Sequence, residues 1–470
     1  MSLPDWPDQA APAQRVHVNR TLNLRSIKAI GYDMDYTLVG YNEELWEERA
    51  YAYLKEKLIE EGWDSAEVRG LVFDATRVIR GLVVDMELGN LIKLNRFAYV
   101  KAAHHGTEPM SVSEVRAAYP GGAVDLTSDR FRQLDTLFSL SEGCIFAQLV
   151  SLYDRQGLPG ALGYRGIWTT VRRCLDQAHI EGELKRDLLA DPDSYLRRDP
   201  LAARTLIEQR AAGKKLMLIT NSGWNFTRQV MALAYDPYLP EGTTWRDLFD
   251  VVIVSSRKPT FFRSNQRFFE IMDERGDHLR PFDGTLRKGA VYLGGDAHQL
   301  ESLLGLSGDE ILYVGDHIYG DVIVSKNQFE WRTCLVLSEL EGELAYLDRV
   351  KPIQEELDRM MAEKAKLEIA FDRLRCCGLQ EGAEDSTGEQ MELRSRLVRL
   401  DAQLGDRLRE MATHSNPYWG PLMRAGADES LLASQVGRFA CVYTAAISGL
   451  GQATPFHYFR AGRLPLPHDP

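Results

Sequence analysis

Short apolar runs alternate with helical patterns along much of this chain, and this alternation restricts the possible folds more than any other feature. The runs end in small or acidic residues and cover residues 28–36, 215–222, 250–256, 289–296, 310–316 and 333–338. Strands that alternate with helices form a parallel sheet covered on both faces. We therefore predict an α/β fold, and we expect a ligand at the carboxyl ends of the strands.

A long insertion separates the first of these strands from the second. Residues 46–199 contain helical stretches and a hairpin-like segment with Gly89-Asn90 at its turn. An insertion of this size predicts a mostly helical cap domain over the strand ends, able to exclude water there. Residues 1–45 and 200–345 then form the discontinuous core.

The pattern changes after Ser338 to long, charged helices with heptad-like spacing. Two such helices flank a polar loop, which predicts an antiparallel helical hairpin that Pro352 should kink or interrupt. We assign residues 346–470 to this hairpin and to a tail packed on the core. The heptad-like spacing fits self-association and intrachain packing equally well.

Composition argues against several classes of protein. A net charge of −12 disfavours a general nucleic-acid binder, which usually presents a basic face. The N-terminal segment has no apolar h-region and no run of about 18 apolar residues occurs, so we predict neither a signal peptide nor a membrane span. The six cysteines lack zinc-site spacing and fit reduced thiols in a cytoplasmic protein.

Two aspartates, Asp33 and Asp35, follow the first strand with a spacing that points both side chains the same way. Alone, this pair could equally form a turn or a helix cap. Polar residues also follow the later strands, in the order Thr220, Asn221, Ser222, Lys258, Asp316 and Asp321. Four such elements, each at a strand end, are hard to explain as coincidence.

These motifs resemble those of the haloacid dehalogenase-like phosphatases, which carry DxDxT, then Thr or Ser, then Lys, then GDxxxxD. The resemblance implies a Rossmann-like core in which Asp33 is the nucleophile that forms an aspartyl-phosphate. It implies that Asp35 protonates the leaving oxygen and later deprotonates water. Two carboxyl groups so close together should not both ionise readily, so one should have a raised pKa.

The same resemblance implies a Mg²⁺ ion held by oxygen ligands. These ligands are the Asp33 side chain, the backbone carbonyl of Asp35, and Asp316, with Asp321 close behind them. Lys258 balances the negative charge. The residues implied to hold the phosphate or the rest of the substrate in the core are Thr37, Thr220, Asn221 and Ser222.

Nearly the whole chain is similar to the cytosolic purine 5′-nucleotidases. Segments that carry this similarity include DMDYTLVGY, TNSGWNFT, SSRKPTFF and YVGDHIYGDVIVSK. Members of that family prefer IMP and GMP, can pass the phosphate to another nucleoside, and often assemble as homo-oligomers. The resemblance therefore implies a cytoplasmic enzyme that forms a dimer or tetramer.

One helical pattern in the insertion bears on substrate choice, since Arg172, Asp176 and His179 are spaced to share a helical face. An Arg donor and an Asp acceptor match O6 and N1 of a 6-oxopurine, although a solvated surface pair explains the spacing as well. The resemblance places Arg172, Asp176 and Lys185 at substrate-binding positions. It places Phe138 where it stacks on the base, although core packing is an equally simple role.

We therefore predict a Mg²⁺-dependent 5′-nucleotidase that converts IMP or GMP to nucleoside and phosphate. A purine nucleoside monophosphate is the expected partner, and neither nucleic acid nor a membrane is expected. Two alternatives stay open. One is a haloacid dehalogenase-like phosphatase for another phosphomonoester, and the other is a non-enzymatic scaffold that binds through the helices of residues 340–413.

Overall fold

The computed structural model describes residues 15–381 and 387–463, without the side chains of residues 179–181, 377–381 and 387. The described chain forms two compact units. One comprises the described residues up to Glu341 together with those from Leu422 onward, and the other is Gly342–Pro421.

Strands in the described residues are mostly short. In chain order they are β1 (His17–Val18), β2 (Leu22–Asn23), β3 (Ala29–Tyr32), β4 (Gly40–Tyr41), β5 (Val83–Asp85), β6 (Asn90–Leu94), β7 (Val100–His105), β8 (Glu108–Pro109), β9 (Phe131–Gln133), β10 (Leu196–Arg197), β11 (Lys215–Ile219), β12 (Val251–Val254), β13 (Phe268–Ile271), β14 (Leu279–Pro281), β15 (Val291–Gly294), β16 (Ile311–Gly315), β17 (Arg332–Val336), β18 (Arg424–Ala425), β19 (Asp428–Glu429), β20 (Val442–Thr444) and β21 (Tyr458–Phe459).

The helices are longer and concentrate in the insertion and near the C-terminus. In chain order they are α1 (Glu43–Glu60), α2 (Ala66–Arg69), α3 (Val112–Ala118), α4 (Leu140–Gln156), α5 (Gly163–Glu181), α6 (Glu183–Ala190), α7 (Pro192–Tyr195), α8 (Pro200–Ala211), α9 (Trp224–Tyr235), α10 (Trp245–Leu248), α11 (Ala297–Leu304), α12 (Val324–Phe329), α13 (Leu340–Glu381), α14 (Thr387–Ala412) and α15 (Leu431–Phe439). Within the described part of the chain, none of them is both long and apolar enough to cross a membrane.

A ten-stranded sheet forms the centre of the larger unit, in the order β1-β20-β17-β16-β3-β11-β12-β15-β13-β14. The six strands from β17 to β15 are parallel to one another, and each corresponds to one of the predicted apolar runs. Strands β3, β12 and β16 are buried at every residue, as expected where both faces of a parallel sheet are covered. The predicted α/β fold with a parallel sheet is confirmed.

The insertion contains more sheet than the predicted single hairpin. Strands β5 to β9 form a five-stranded antiparallel sheet in the order β8-β7-β6-β5-β9. The predicted hairpin is β5–β6, but Asn90 already pairs with Asp85, so its turn covers residues 86–89. Gly89 has φ +69°, and a Cβ there would lie 2.8 Å from the Tyr164 ring. Strands β4 and β10 pair where the insertion leaves and rejoins the core.

The C-terminal tail belongs to the larger unit and contributes to its sheet. Strand β20 lies parallel to β17, and β1 pairs with it on the other side in antiparallel orientation. Residues from Leu422 onward, grouped with the hairpin in the sequence prediction, therefore extend the central sheet beyond the six parallel strands.

The smaller unit consists mainly of the antiparallel helices α13 and α14. Their apolar contact is formed by Leu357, Leu367, Leu400 and Leu404. Across it, Lys364 Nζ lies 2.7 Å from Asp401 Oδ1, and Arg407 Nε lies 3.1 Å from Glu356 Oε2. Helix α13 continues through Pro352, so the expected interruption at this proline is not observed.

Candidate active site

The carboxyl ends of β16, β3 and β11 lie side by side and bring together residues that are distant in sequence. Asp33 follows β3, Thr220 follows β11 and Asp316 follows β16. The backbone N–H of Asp33 donates to the carbonyl of Val314 at 2.9 Å, which extends the sheet pairing into the site. Carboxylate oxygens of Asp33, Asp316 and Asp321 lie within 4.8 Å of one another.

Lys258 is the cation of this acidic cluster. Its Nζ lies 2.7 Å from Asp33 Oδ1 and 2.7 Å from Asp321 Oδ1, and it donates to the Tyr313 hydroxyl at 3.0 Å. The side chain is only 3 % exposed, and a buried charge is tolerated only when it is paired. Burial lowers the pKa of Lys258, but Asp321 and Asp33 outweigh that effect and raise the pKa above its ordinary value.

A glycine allows Asp321 to approach the strand end. A Cβ on Gly315 would lie 2.4 Å from Asp321 Oδ2, so no other residue fits without displacing the carboxylate. The chain turns back through a π-helical turn at Ile318–Ile323, and the same oxygen accepts the N–H of His317 at 3.1 Å. This turn explains why two acids five positions apart in the Gly-Asp motif meet in one cluster.

The side chain of Asn221 holds the loop that carries Lys258. Its Oδ1 accepts the Lys258 N–H at 2.6 Å, and its Nδ2 donates to the Lys258 carbonyl at 3.1 Å. The fully buried Thr220 hydroxyl accepts the N–H of Ser222 at 3.0 Å. These bonds fix the geometry of both loops, and the phosphate contacts of Asn221 and Thr220 stay predictions.

Two hydroxyl groups hold the half-buried Asp35. Ser222 Oγ donates to Asp35 Oδ2 at 2.8 Å, and the Tyr41 hydroxyl donates to Oδ1 at 2.5 Å. Tyr41 was missed by the sequence prediction, because it reaches Asp35 only through the loop that the Asp35–Val39 bridge closes. These two donors fix the direction of the Asp35 carboxylate.

Burial disfavours the ionised forms of Asp33 and Asp316. Burial raises the pKa of Asp33 to about 7 although Lys258 lowers it, and burial followed by the charge of Asp33 raises the pKa of Asp316 well above its ordinary value. The raised pKa predicted for the Asp33–Asp35 pair thus occurs at the predicted nucleophile. An all-oxygen set of buried carboxylates fits a hard divalent cation, which would favour their ionised forms.

Thr37 lies outside this cluster. Its buried hydroxyl has no hydrogen-bond partner among the described residues. It lines a separate cavity of about 270 Å³, together with Glu43, Arg197 and Ser338. The substrate contact predicted for Thr37 stays a prediction.

In the cap, Arg172 pairs mainly with a residue that the sequence prediction missed. Its Nη1 donates to both carboxylate oxygens of Glu142, at 3.1 and 2.9 Å, whereas its Nε lies 3.6 Å from Asp176 Oδ1. Glu142 is buried on α4, and a charged residue within that apolar stretch was the available signal. Arg172 and Asp176 line a cavity of about 510 Å³ with Trp168. The side chain of His179 lies outside the described residues.

Lys185 and Phe138 lie close to core residues. Lys185 Nζ lies 3.5 Å from Ser222 Oγ and 4.8 Å from the centre of the Phe226 ring. Phe138 packs edge-on against Tyr36, with ring centres 4.6 Å apart, and is partly buried against the core. The core contact given as the alternative role of Phe138 is therefore present, and stacking on a base stays a prediction.

Two further cap residues approach the loop of Asp316 and were missed by the sequence prediction. Asp135 Oδ1 lies 3.7 Å from His317 Nε2, and Arg80 Nη1 donates to the Asp316 carbonyl at 3.0 Å. Burial lowers the pKa of Arg172, but Glu142, followed by Asp176 and Asp135, outweighs burial and raises the pKa. These contacts connect the cap residues with the acidic cluster.

Two comparisons with known proteins give the same family. A model described as the 5′ nucleotidase family matches residues 16–470. A 5′-nucleotidase domain-containing protein of Dictyostelium discoideum is 28 % identical over 470 residues, with 97 % of this chain and 75 % of the relative covered.

Solved structures give weaker likenesses. An archaeal beta-phosphoglucomutase of Pyrococcus sp. strain ST 04 is 11 % identical with a TM-score of 0.32, over 66 % of this chain and 87 % of that chain. A predicted phosphoglycolate phosphatase of Haemophilus somnus 129PT is 13 % identical with a TM-score of 0.28, over 66 % and 85 %. Scores this low do not by themselves establish a shared fold.

Proposed function

The chain belongs to the 5′ nucleotidase family, and from this premise we propose that it is a Mg²⁺-dependent nucleotidase that acts on purine nucleoside 5′-monophosphates. The predicted family is confirmed, and the chain is a phosphoric monoester hydrolase. IMP and GMP are the proposed substrates. The observation that carries the proposal is the buried cluster of Asp33, Asp316 and Asp321 around the Lys258 ammonium group.

Five residues form the proposed metal site and its charge balance. Asp33, Asp316 and the backbone carbonyl of Asp35 would hold the ion, and Asp321 lies beside the Asp33 and Asp316 carboxylates. When bound, Mg²⁺ neutralises and polarises the phosphoryl group. Lys258 adds a second positive charge beside Asp33 Oδ1, close to the charged oxygens of a phosphoryl group that Asp33 attacks.

Asp33 supplies the nucleophile in the proposed reaction. Its carboxylate oxygen attacks phosphorus, the bond to the 5′-oxygen breaks, and an aspartyl-phosphate forms. Asp35 gives a proton to the departing 5′-oxygen and then accepts a proton from the attacking water. Hydrolysis returns Asp33 and releases inorganic phosphate. Attack by the 5′-hydroxyl of another nucleoside instead of water would make the same intermediate a phosphate donor.

The cap contacts support a role for Arg172 in reading the base. Glu142 fixes one edge of the guanidinium, so Arg172 is not a freely moving surface side chain. Asp176 lies beyond hydrogen-bond distance from Arg172, at 3.6 Å, which leaves its carboxylate available to a ligand. In the proposed complex Arg172 donates to O6 and Asp176 accepts the N1–H of a 6-oxopurine, and Lys185 lies near the phosphate.

A phosphatase for another phosphomonoester would use the same core, so the cap contacts are what favour a purine. The intact acid–lysine cluster argues against a scaffold without activity. The expected homo-oligomer and cytoplasmic location stay predictions.

Phosphate release from a substrate panel tests the proposal. The panel comprises IMP, GMP, AMP, CMP, glucose 6-phosphate and p-nitrophenyl phosphate, each with Mg²⁺ and with EDTA. A preference for IMP and GMP that disappears in EDTA supports both the metal and the base reading. Activity confined to the sugar phosphate or the aryl phosphate would support a phosphatase and contradict the proposed nucleotidase activity.

A further inference from the structure

A buried arginine from the insertion reaches the loop that carries Asp316. Arg80 lies between α2 and β5, and its side chain is only 1 % exposed. Its Nη1 donates to the backbone carbonyl of Asp316 at 3.0 Å, and its Nη2 lies 2.5 Å from Glu339 Oε2. The guanidinium thus bridges the acidic cluster and the segment that follows β17.

Keeping a guanidinium in this position is costly unless its partners are fixed. A buried charge loses its hydration, and this loss is offset only by close, well-directed partners. The planar fork of arginine can hold two acceptors at once, whereas a lysine ammonium in the same place has no such fixed geometry. The Asp316 carbonyl and the Glu339 carboxylate are such a pair of acceptors.

The backbone around Arg80 is fixed as well. The N–H of Gly81 donates to the Leu134 carbonyl at 2.6 Å. A Cβ on Gly81 would lie 2.9 Å from Leu432 Cβ, so this segment packs closely against α15. Arg80 therefore lies on a backbone segment that is held in place. Its hydrogen bond to the Asp316 carbonyl restrains the loop that directs the Asp316 carboxylate at Asp33.

We propose that Arg80 is a positioning residue for the metal site, holding the Asp316 backbone so that its carboxylate stays within the cluster. This inference rests on the metal dependence proposed above. Without the guanidinium, the Asp316 carbonyl loses its donor and Glu339 loses its cation, and the loop gains freedom. Removing a partner that orients a metal ligand typically lowers metal affinity about 10–100-fold.

Arg80→Gln and Arg80→Lys test the proposal, and Arg77→Lys is the matched control. Arg77 is a half-buried arginine of the same segment that donates to the Thr107 carbonyl at 2.9 Å and lies 3.7 Å from Asp74. Two measurements are made on the full chain. The first is the Mg²⁺ concentration that gives half of the maximal increase in melting temperature without substrate. The second is the Mg²⁺ concentration that gives half of the maximal rate of phosphate release.

We expect both Mg²⁺ concentrations to rise about 10–100-fold in Arg80→Gln, with kcat largely recovered at saturating Mg²⁺. Arg80→Lys should show a smaller rise, and Arg77→Lys should match the wild type. If Arg80→Gln does not fold, the shift in Arg80→Lys decides. A folded Arg80 variant with wild-type Mg²⁺ dependence, or an equal shift in Arg77→Lys, would overturn the inference. A wild-type protein that responds to no Mg²⁺ would refute the proposed metal dependence instead.

Discussion

The acidic cluster and the cap residues around Arg172 differ in how much freedom their side chains have. In the cluster, Lys258 and Asp321 are almost fully buried, and neighbours hold the Lys258 ammonium and both Asp321 oxygens. In the cap, the side chains of Arg172 and Asp176 are 50 % and 56 % exposed and line an open cavity. The cluster is preorganised for one reaction, whereas the cap presents groups that a ligand can still engage. Changes in the cluster should therefore lower kcat, and changes in the cap should alter KM for particular substrates.

Asp33→Asn should have the largest effect. An amide cannot act as the nucleophile, so we expect kcat to fall by roughly 10⁴-fold or more, with the fold retained. Phosphate release from IMP is the measurement, and Asp129→Asn, at an exposed position in the cap, is the control. A fully active Asp33→Asn protein would contradict the aspartyl-phosphate route.

Lys258→Met should rank second and affect stability as well as rate. We expect kcat to fall about 10²–10³-fold, because a positive charge beside the reacting phosphate is lost. In EDTA the free energy of unfolding should fall by about 3 kcal/mol, since Asp33 and Asp321 lose their shared cation. Urea unfolding measures this loss.

Mg²⁺ should restore part of the stability lost in Lys258→Met, because a cation in the cluster offsets the same repulsion. The control is Lys215→Met, at an exposed position on β11. No recovery with Mg²⁺ would argue that the acids and Lys258 form a purely structural ion-pair network.

Arg172→Ala should leave the core chemistry intact and separate the two regions. Losing a charged hydrogen bond to the base should raise KM for IMP roughly 10–100-fold. KM for p-nitrophenyl phosphate, which has no base, should not change. Arg173→Ala is the matched control, because this neighbouring arginine pairs with Glu61 instead. An equal loss for both substrates would show that Arg172 has no role in base recognition.

The contrast between the regions also explains what the sequence could reveal. Each predicted residue of the cluster follows an apolar run, and parallel strands bring their carboxyl ends together, so Asp33, Lys258 and Asp316 could be predicted. The contacts of Glu142 and Arg80 could not be predicted, because each residue meets its partner across elements with no common spacing. Helical spacing predicted that Arg172 and Asp176 share a face of α5, but it could not predict which residues of α4 pack against that face.

The same limit applies to the fold. The six parallel strands were predictable because they are continuous apolar runs buried on both faces. Strand β13 alternates between buried and half-buried residues, and β20 has three residues, so neither gives a comparable signal. Their place in the sheet is set by pairing with β15 and β17.

Glu47→Gln should give the smallest effect and sharpen the comparison through pH. Glu47 is a buried acid on α1 that accepts the Ser141 N–H at 2.7 Å, and burial raises its pKa to about 8 from an ordinary 4.5. The folded protein therefore retains a proton that the unfolded chain releases. Its stability should fall as pH rises from about 4.5 to about 8, with a slope of roughly 1 kcal/mol per pH unit from this group.

Glu47→Gln removes that proton and should flatten the pH dependence of the free energy of unfolding across this range. Above pH 8 the variant should be more stable than the wild type, because it no longer holds an ionised carboxylate in an apolar site with one oxygen lacking a partner among the described residues. Glu48→Gln, at the next and exposed position of α1, should change neither quantity. Glu47 binds the first turn of α4. If Glu47→Gln leaves the pH dependence of the free energy of unfolding unchanged, Glu47 is ionised in the folded protein. Its carboxylate would then be stabilised by the N-terminus of α4 and not protonated by burial.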